Sequence, residues 1–338
     1  MASSVLRAPQ MGAIALTALA VGGAAAASTY LLLRHRASSR NIFVPVGRLA
    51  NIFIYPIKSI AGIEVPYADC TVAGPVYKEL KDRLLLIVKG DYFVSMREEP
   101  RLGLIQMTFD DGKLTLLAEG YPSLVIEASD PDERSKPSFT VRMRKFSYTA
   151  VEVSEEASRW LRKYLQKDDI RLVRIILDQE TLDQAVNRPA VVACHDESAF
   201  HVLSKASLDV LLSRLPADSN IGRHNFRPAF FIDECEAHAE DHWERMRIAD
   251  AVMAFSHRTT RCLLTTVDQD AGVRTDQEPL TTLRKYRVDK SEQGLKKYTS
   301  QPLLGISTYH VKHGRVTVGD IVYAVVSPKP LLVKKRRL

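Results

Sequence analysis

The sequence predicts an α+β protein rich in β-structure: a β-barrel with peripheral helices, preceded by a β-rich α/β domain and, ahead of both, a single N-terminal transmembrane anchor. Three observations carry this expectation. Short apolar and β-branched runs recur along most of the chain, with turn residues between them. Few segments repeat their apolar residues at helical spacing. Residues 11–33 contain no charge. A chain of 338 residues suggests two domains, since one domain takes roughly 100–200 residues. It divides into an N-terminal tail (1–10), the anchor (11–33), a basic linker (34–46), a β-rich domain (47–177), a second domain (178–328) and a basic tail (329–338).

The anchor is Ala- and Gly-rich. As a helix rising about 1.5 Å per residue, it reaches across a hydrocarbon core of about 30 Å. Arg7 precedes it, and Arg34, His35, Arg36 and Arg40 follow. The heavier basic flank places the body on the cytosolic side. A cleaved signal peptide with its small-residue site at 24–27 is the rival reading, but the apolar run exceeds the usual core of about 7–15 residues.

From Arg48 onward the pattern is β-like, with runs at 49–55, 84–88, 93–96, 104–109, 114–117, 124–127 and 139–143. Asp111-Gly112 marks a hairpin, because glycine accepts positive φ. One helix is plain: Ser154 is a candidate N-cap, and Ala157, Trp160, Leu161, Tyr164 and Leu165 share one face. That spacing makes Trp160 a core residue. The polar stretch 178–187 reads as the domain boundary. A Ser-capped helix follows from Ser204, carrying Leu208, Leu211, Leu212 and Leu215 and ending at Pro216. Runs at 226–232, 251–255 and 263–267 read as strands, 280–286 as a short helix, and 304–311, 315–318 and 321–326 as closing strands.

The chain carries a net charge of +7, but nine of its 47 Lys and Arg lie in residues 1–40 and 329–338, leaving 38 in the body against 40 acids. A body without a cationic excess argues against nucleic acid as a partner. The four cysteines, Cys70, Cys194, Cys235 and Cys262, form no CxxC pair and no disulfide framework, as in a reducing compartment. No GxGxxG, Walker-type loop, HExxH or GxSxG occurs. Cys194-His195 and Cys235-x-x-His238 resemble zinc ligands only loosely, since structural zinc sites use tighter pairs. Cys262 differs, because His257, Arg258 and Arg261 precede it closely. Nearby cations favour the thiolate, which binds soft redox metals.

The segment Arg261-Cys262-Leu263-Leu264-Thr265-Thr266-Val267-Asp268 closely resembles the cofactor-cysteine segment of MOSC-domain proteins, specifically the mitochondrial amidoxime-reducing components. Further segments match in order: Tyr55-Pro56-Ile57-Lys58-Ser59, Asp82-Arg83, Asn225-Phe226-Arg227-Pro228, Glu240-Asp241-x-Trp243 and Val318-Gly319-Asp320. Together they run from about Arg48 to Val326. The resemblance implies a MOSC β-barrel with peripheral helices behind an N-terminal MOSC-associated α/β domain. It implies a molybdenum–molybdopterin cofactor, with Cys262 as metal ligand and catalytic residue. It also implies cofactor contacts from Lys58, Ser59, Arg83, Arg227 and Arg261, whose charges suit an anionic phosphate. Asn225 and Thr260 join them as hydrogen-bonding groups, and Ser204, at a helix N-terminus, is a further candidate. Three sequence departures are Thr260, where relatives commonly carry Ser, Ile248-Ala249-Asp250 in place of IGD, and Ile306-Ser307, which leaves a cofactor contact over 305–307 open.

The implied activity is reduction of small N-hydroxylated substrates such as amidoximes and N-hydroxylamines. The chain holds no flavin, haem or nicotinamide motif, so electrons must come from a partner. The resemblance names cytochrome b5 and its NADH-dependent reductase, at the mitochondrial outer membrane with the catalytic body facing the cytosol. The alternative is a non-catalytic membrane-bound cofactor carrier or sulfur-transfer module.

Overall fold

A computed structural model describes residues 42–130, 132–187, 192–275 and 277–332. The expected anchor, the N-terminal tail and most of the two basic segments lie outside the described residues. No helix among the described residues is long and apolar enough to cross a membrane.

Strand β1 (Val44–Ile54) opens the described chain. A closed five-stranded barrel follows from β2 (Leu85–Lys89), β3 (Tyr92–Phe93), β4 (Ser138–Met143), β5 (Phe146–Glu152) and β6 (Ile170–Ile175), in the order β4-β5-β6-β2-β3. A three-stranded sheet (Gln106–Asp110, Lys113–Leu117, Leu124–Glu127) packs beside it. Its first turn is Asp111-Gly112, with φ of 43° and 73°. Positive φ at both central residues matches the right-handed twist of the flanking strands, as the dipeptide predicts.

Helix α1 (Glu155–Leu165) is the helix the periodicity predicts. The Ser154 side chain accepts from the Ala157 N–H at 3.1 Å, satisfying one of the free N–H groups of the first turn. Ala157, Trp160, Leu161, Tyr164 and Leu165 are all buried. Trp160 stacks on Tyr164 at 5.5 Å, and its indole donates to the Pro122 carbonyl at 2.6 Å. The polar stretch at the expected boundary contains a short helix, α2 (Gln179–Ala185).

The second half supplies β7 (Phe200–Ser204), helix α3 (Lys205–Leu212), the single-turn helix α4 (Arg223–Phe226), β8 (Phe230–Asp233), β9 (Trp243–Ile248) and β10 (Ala251–Thr260). Helices α5 (Leu280–Tyr286) and α6 (Glu292–Tyr298) follow, then β11 (Leu303–Lys312) and β12 (Ile321–Val326). The strands run β8-β7-β11-β10-β9-β12-β1, and β1 also pairs with β8, which closes a seven-stranded barrel. Strand β1 closes it by changing partners. It pairs with β12 over Val44–Arg48 and with β8 over Arg48–Ile52, with register shifts in both pairings. A strand from the first segment therefore forms a stave of the second barrel. Strand Tyr67–Thr71 likewise pairs with Gly314–Thr317. Phe200, Phe230, Trp243 and Phe255 are among the largest fully buried side chains of the core.

Three elements differ from the sequence expectation. Residues 226–232 are not one strand. Helix α4 ends at Phe226, Arg227 turns left-handed at φ 53°, and β8 begins only at Phe230. Pro228 has no N–H for a ladder, so the strand starts beyond it. Residues 263–266 form a 3-10 turn rather than a strand. The Thr265 and Thr266 hydroxyls donate back to the Cys262 and Leu263 carbonyls at 2.9 and 2.8 Å, a local alternative to sheet pairing. The polar run 257–260, which lies outside the strands read from the sequence, is the end of β10, where two bulges against β11 absorb the irregular pattern.

Candidate functional site

One cleft of about 400 Å³ is lined by both barrels and gathers Lys58, Ser59, Arg83, Asn225, Arg227, Thr260, Arg261 and Cys262. The small barrel contributes Phe93, and Arg144 comes from the connection between β4 and β5.

Cys262 follows the end of β10 and precedes the 3-10 turn. It is half-buried and free, and its carbonyl is held by the Thr265 N–H at 3.0 Å. Asn225 braces the same turn from α4, donating to the Thr265 and Val267 carbonyls at 3.2 and 2.9 Å. Its amide oxygen accepts from the Gly222 N–H at 2.8 Å. Both amide hydrogens are therefore engaged within the chain, so Asn225 positions the cysteine turn rather than offering donors to a ligand.

Arg227 sits at the left-handed end of α4, 7 % exposed. Its guanidinium lies over the Tyr55 ring at 4.2 Å, and Nη1 donates to the Ile60 carbonyl at 2.6 Å. Nη2 is buried without a partner. Burial lowers the guanidinium to about 10 and raises the Tyr55 phenol to about 12, so Arg227 is charged and Tyr55 neutral at pH 7.

Arg261 is equally buried. Nε donates to the Leu304 carbonyl at 2.9 Å and Nη1 to the Phe226 carbonyl at 3.3 Å, while Nη2 meets His201 Nε2. Burial lowers this guanidinium also to about 10. No carboxylate among the described residues makes an ion pair with Arg227 or Arg261 by a 4.0 Å criterion. Two buried cations lacking acidic partners favour an anionic occupant.

The other two cations are paired. Lys58 Nζ donates to the Cys194 carbonyl and meets Asp196, each at 2.9 Å. Burial would raise the Asp196 carboxyl, but Lys58 and then Arg144 outweigh it and hold it below the usual range. Arg83 meets Asp82 at 2.8 Å. Asp82 also accepts from the Tyr55 N–H at 2.7 Å and contacts His195 Nε2 at 2.9 Å. Burial would raise its carboxyl, yet Arg83 and His195 keep it ionised. Ser59, at φ 69°, turns the backbone just after Lys58. Thr260 and Ser307 line the cleft from β10 and β11; Ser307 Oγ lies 3.0 Å from Thr259 Oγ1.

Ser204 does not join this group. It is fully buried as the N-cap of α3, donating to Glu240 Oε2 at 2.9 Å and accepting from the Ser207 N–H at 3.1 Å. The carboxyl group at that helix start is the chain's own Glu240, which burial pushes above its ordinary value. Cys194 and Cys235 do not line the cleft, and burial raises each thiol to about 12. No cluster of three or more His, Cys, Asp or Glu among the described residues forms a metal cage.

The sequence motifs missed Asp196, Glu197 and His201, which all line the cleft. His201 Nδ1 lies 3.3 Å from the Arg227 carbonyl, and Nε2 faces Arg261. Burial, and then Arg261, hold this imidazole well below its ordinary value, so it is neutral. Strand alternation was the available signal: Phe200 and Val202 point into the core, so His201 faces the other way. Gly305, at φ 72°, makes room for this arrangement. A Cβ there would lie 2.6 Å from the Val202 carbonyl oxygen and 2.8 Å from His201 Nε2.

Comparison with known proteins gives two family matches, the MOSC N-terminal beta barrel domain over residues 46–168 and the MOSC domain over 189–323. The chain is 35% identical over 320 residues to mitochondrial amidoxime-reducing component 1 of Mus musculus, covering 93% of this chain and 91% of that protein. It is 34% identical over 320 residues to component 1 of Homo sapiens, covering 93% and 92%. Against component 2 of Bos taurus it is 34% identical over 300 residues, covering 87% and 88%.

Proposed function

Because the chain belongs to the MOSC-domain family of amidoxime-reducing components, we propose that it is a molybdenum-cofactor-dependent reductase of N-hydroxylated compounds, amidoximes and N-hydroxylamines among them. One observation carries the reading: a single cleft holds the half-buried Cys262 thiol beside two buried guanidinium groups without acidic partners.

That donor set fits a molybdenum–pterin group. A cysteine sulfur that belongs to no cluster of three or more ligating side chains among the described residues suits a metal whose remaining ligands come from an organic cofactor. The free Arg227 Nη2 suits an anionic phosphate oxygen, since guanidinium binds phosphate through directed N–H groups. When bound, the group supplies a two-electron redox centre able to remove oxygen from nitrogen.

The chain's own residues do the rest. Cys262 holds the group by its sulfur, with Asn225 and the Thr265 hydroxyl fixing the turn beneath it. Arg227 and Arg261 supply buried positive charge held in place by backbone carbonyls, so little reorganisation is needed during reaction. The Asp82–His195–Arg83 cluster orients Arg83 toward the same space.

Electrons reach this centre from a partner, for which we propose cytochrome b5 and its NADH-dependent reductase. An N-terminal anchor over 11–33 in the mitochondrial outer membrane, with the body facing the cytosol, would raise the local concentration of donor and acceptor. The mitochondrial names of the relatives support the organelle; the outer membrane and the cytosolic orientation are part of the proposal.

The test is benzamidoxime reduction by the full chain reconstituted with cytochrome b5 and reductase. Wild type is expected to form benzamidine and Cys262→Ala none. A wild type that binds molybdenum without turnover would point to a cofactor carrier instead.

A further inference from the structure

A second pair of titratable groups stands at this cleft without a task in the account so far. Glu197 lines the cleft, and its carboxylate meets His257 Nε2 on β10. The Glu197 side chain is 37% exposed and that of His257 is 12%. His257 does not line the cleft, so it stands behind the carboxylate. Its other nitrogen, Nδ1, lies 3.0 Å from Ser256 Oγ. Across the sheet its register partner is Ser307, which lines the same cleft. The imidazole thus has one ring nitrogen for Glu197 and one for a hydroxyl, an arrangement that carries a proton on either face.

N-reduction consumes protons as well as electrons. When an amidoxime becomes an amidine, the N–O bond breaks and takes two electrons. The nitrogen gains one proton, and the departing oxygen gains another and leaves as water. The electrons come from a reduced molybdenum centre, replenished by a one-electron donor protein, so this inference rests on the function proposed above. The protons need a source positioned at the cleft.

We propose that Glu197 is the proton donor of this reaction and that His257 reloads it. Among the cleft's carboxylates it is the suitable one. Asp196 is held by Lys58 at 2.9 Å and by Arg144 at 3.3 Å, and two cations keep its proton off. Glu197 is paired with a group that itself carries a transferable proton. The charges bearing on Glu197 are His257 behind it, Asp196 beside it and Arg261 from beyond β10. Burial and Asp196 push the Glu197 carboxyl up, but His257 and then Arg261 outweigh them and hold it below its ordinary value, so it rests ionised and can donate only a proton passed to it by His257. Glu197 acts on substrate directly and His257 acts through Glu197.

The experiment uses full-length protein loaded with cofactor, with benzamidoxime as substrate. Glu197→Gln should lower kcat by about a hundredfold or more, the usual loss on removing a general acid, with molybdenum content and KM near wild type. Its pH profile should lose one ionisation. Formate should partly restore Glu197→Ala, because a small acid can occupy the space the side chain leaves. His257→Gln should lower kcat less and shift the acidic limb of the profile. A second readout needs no turnover. In cofactor-free protein, the ring nitrogen NMR signals of His257 should change in Glu197→Gln, because the carboxylate partner of Nε2 is replaced by an amide. Full kcat in Glu197→Gln, or activity and molybdenum lost in parallel, would overturn the relay while leaving the reductase reading intact. A wild type inactive on every N-hydroxylated substrate would overturn both.

Discussion

At the residue scale the account turns on a few side chains with unusual surroundings. Arg227 is a buried cation with one N–H nitrogen unpartnered. Arg227→Ala should therefore leave the fold largely intact and empty the site of molybdenum, as elemental analysis and circular dichroism would register. Arg227→Lys should not rescue it, because a lysine gives no planar fork. Retained molybdenum in Arg227→Ala would remove the residue from the site. Gly305 is the opposite case, important for what it lacks. Gly305→Ala forces a Cβ into the Val202 carbonyl and His201 at a φ that L-residues rarely adopt. A loss of roughly 1–3 kcal/mol is expected, measurable as a lower Tm and a displaced Arg261. An unchanged Tm would mean that β7 and β11 yield more easily than their pairing suggests. Cys262, Arg227 and Arg261 were legible because they sit in two short strings, 225–228 and 261–268, that match motifs of a known family. His201 and Glu197 were not, because they stand alone among ordinary strand and loop residues and reach the cleft only when β7 pairs with β11.

At the scale of elements, α1 was legible from one Ser cap and five apolar positions, since helical periodicity is a local property. The cysteine turn was misread for an equally physical reason. Leu263-Leu264-Thr265-Thr266-Val267 has the composition of a strand, but its threonines bond to their own backbone. Such competition is invisible in an apolar pattern. Asn225 secures that turn from another element, making three hydrogen bonds within the chain. Asn225→Ala leaves the Thr265 and Val267 carbonyls without their donor and should destabilise the protein by about 1–3 kcal/mol in a denaturant titration. It should also loosen cofactor retention. Lost stability with full retention would separate the turn from the site.

On the scale of the whole molecule, the β-rich class followed from the run spacing, but the path of β1 did not. That strand leaves the first segment and closes the second barrel by pairing in turn with β12 and β8. Partners so distant in sequence leave no local trace. The fold holds two histidines neutral at separate places, the buried His201 well below its ordinary value and the half-buried His238 at about 4. Burial is the first cause in both. A histidine depressed in the fold binds its proton first in the unfolded chain, so stability is full above about pH 6.5 and falls as pH drops below it. Chemical denaturation between pH 7.5 and 5 should follow that slope, and His201→Gln should flatten it. A wild-type stability independent of pH across that window would contradict the buried neutral histidines.

All three scales meet in the claim that Cys262 and its cationic neighbours hold a molybdenum–pterin group. Elemental and pterin analysis of the purified full chain tests that claim most directly. The account predicts about one molybdenum and one pterin per chain in wild type, with both lost in Cys262→Ser. Stoichiometric zinc with no molybdenum, or molybdenum retained without Cys262, would contradict it.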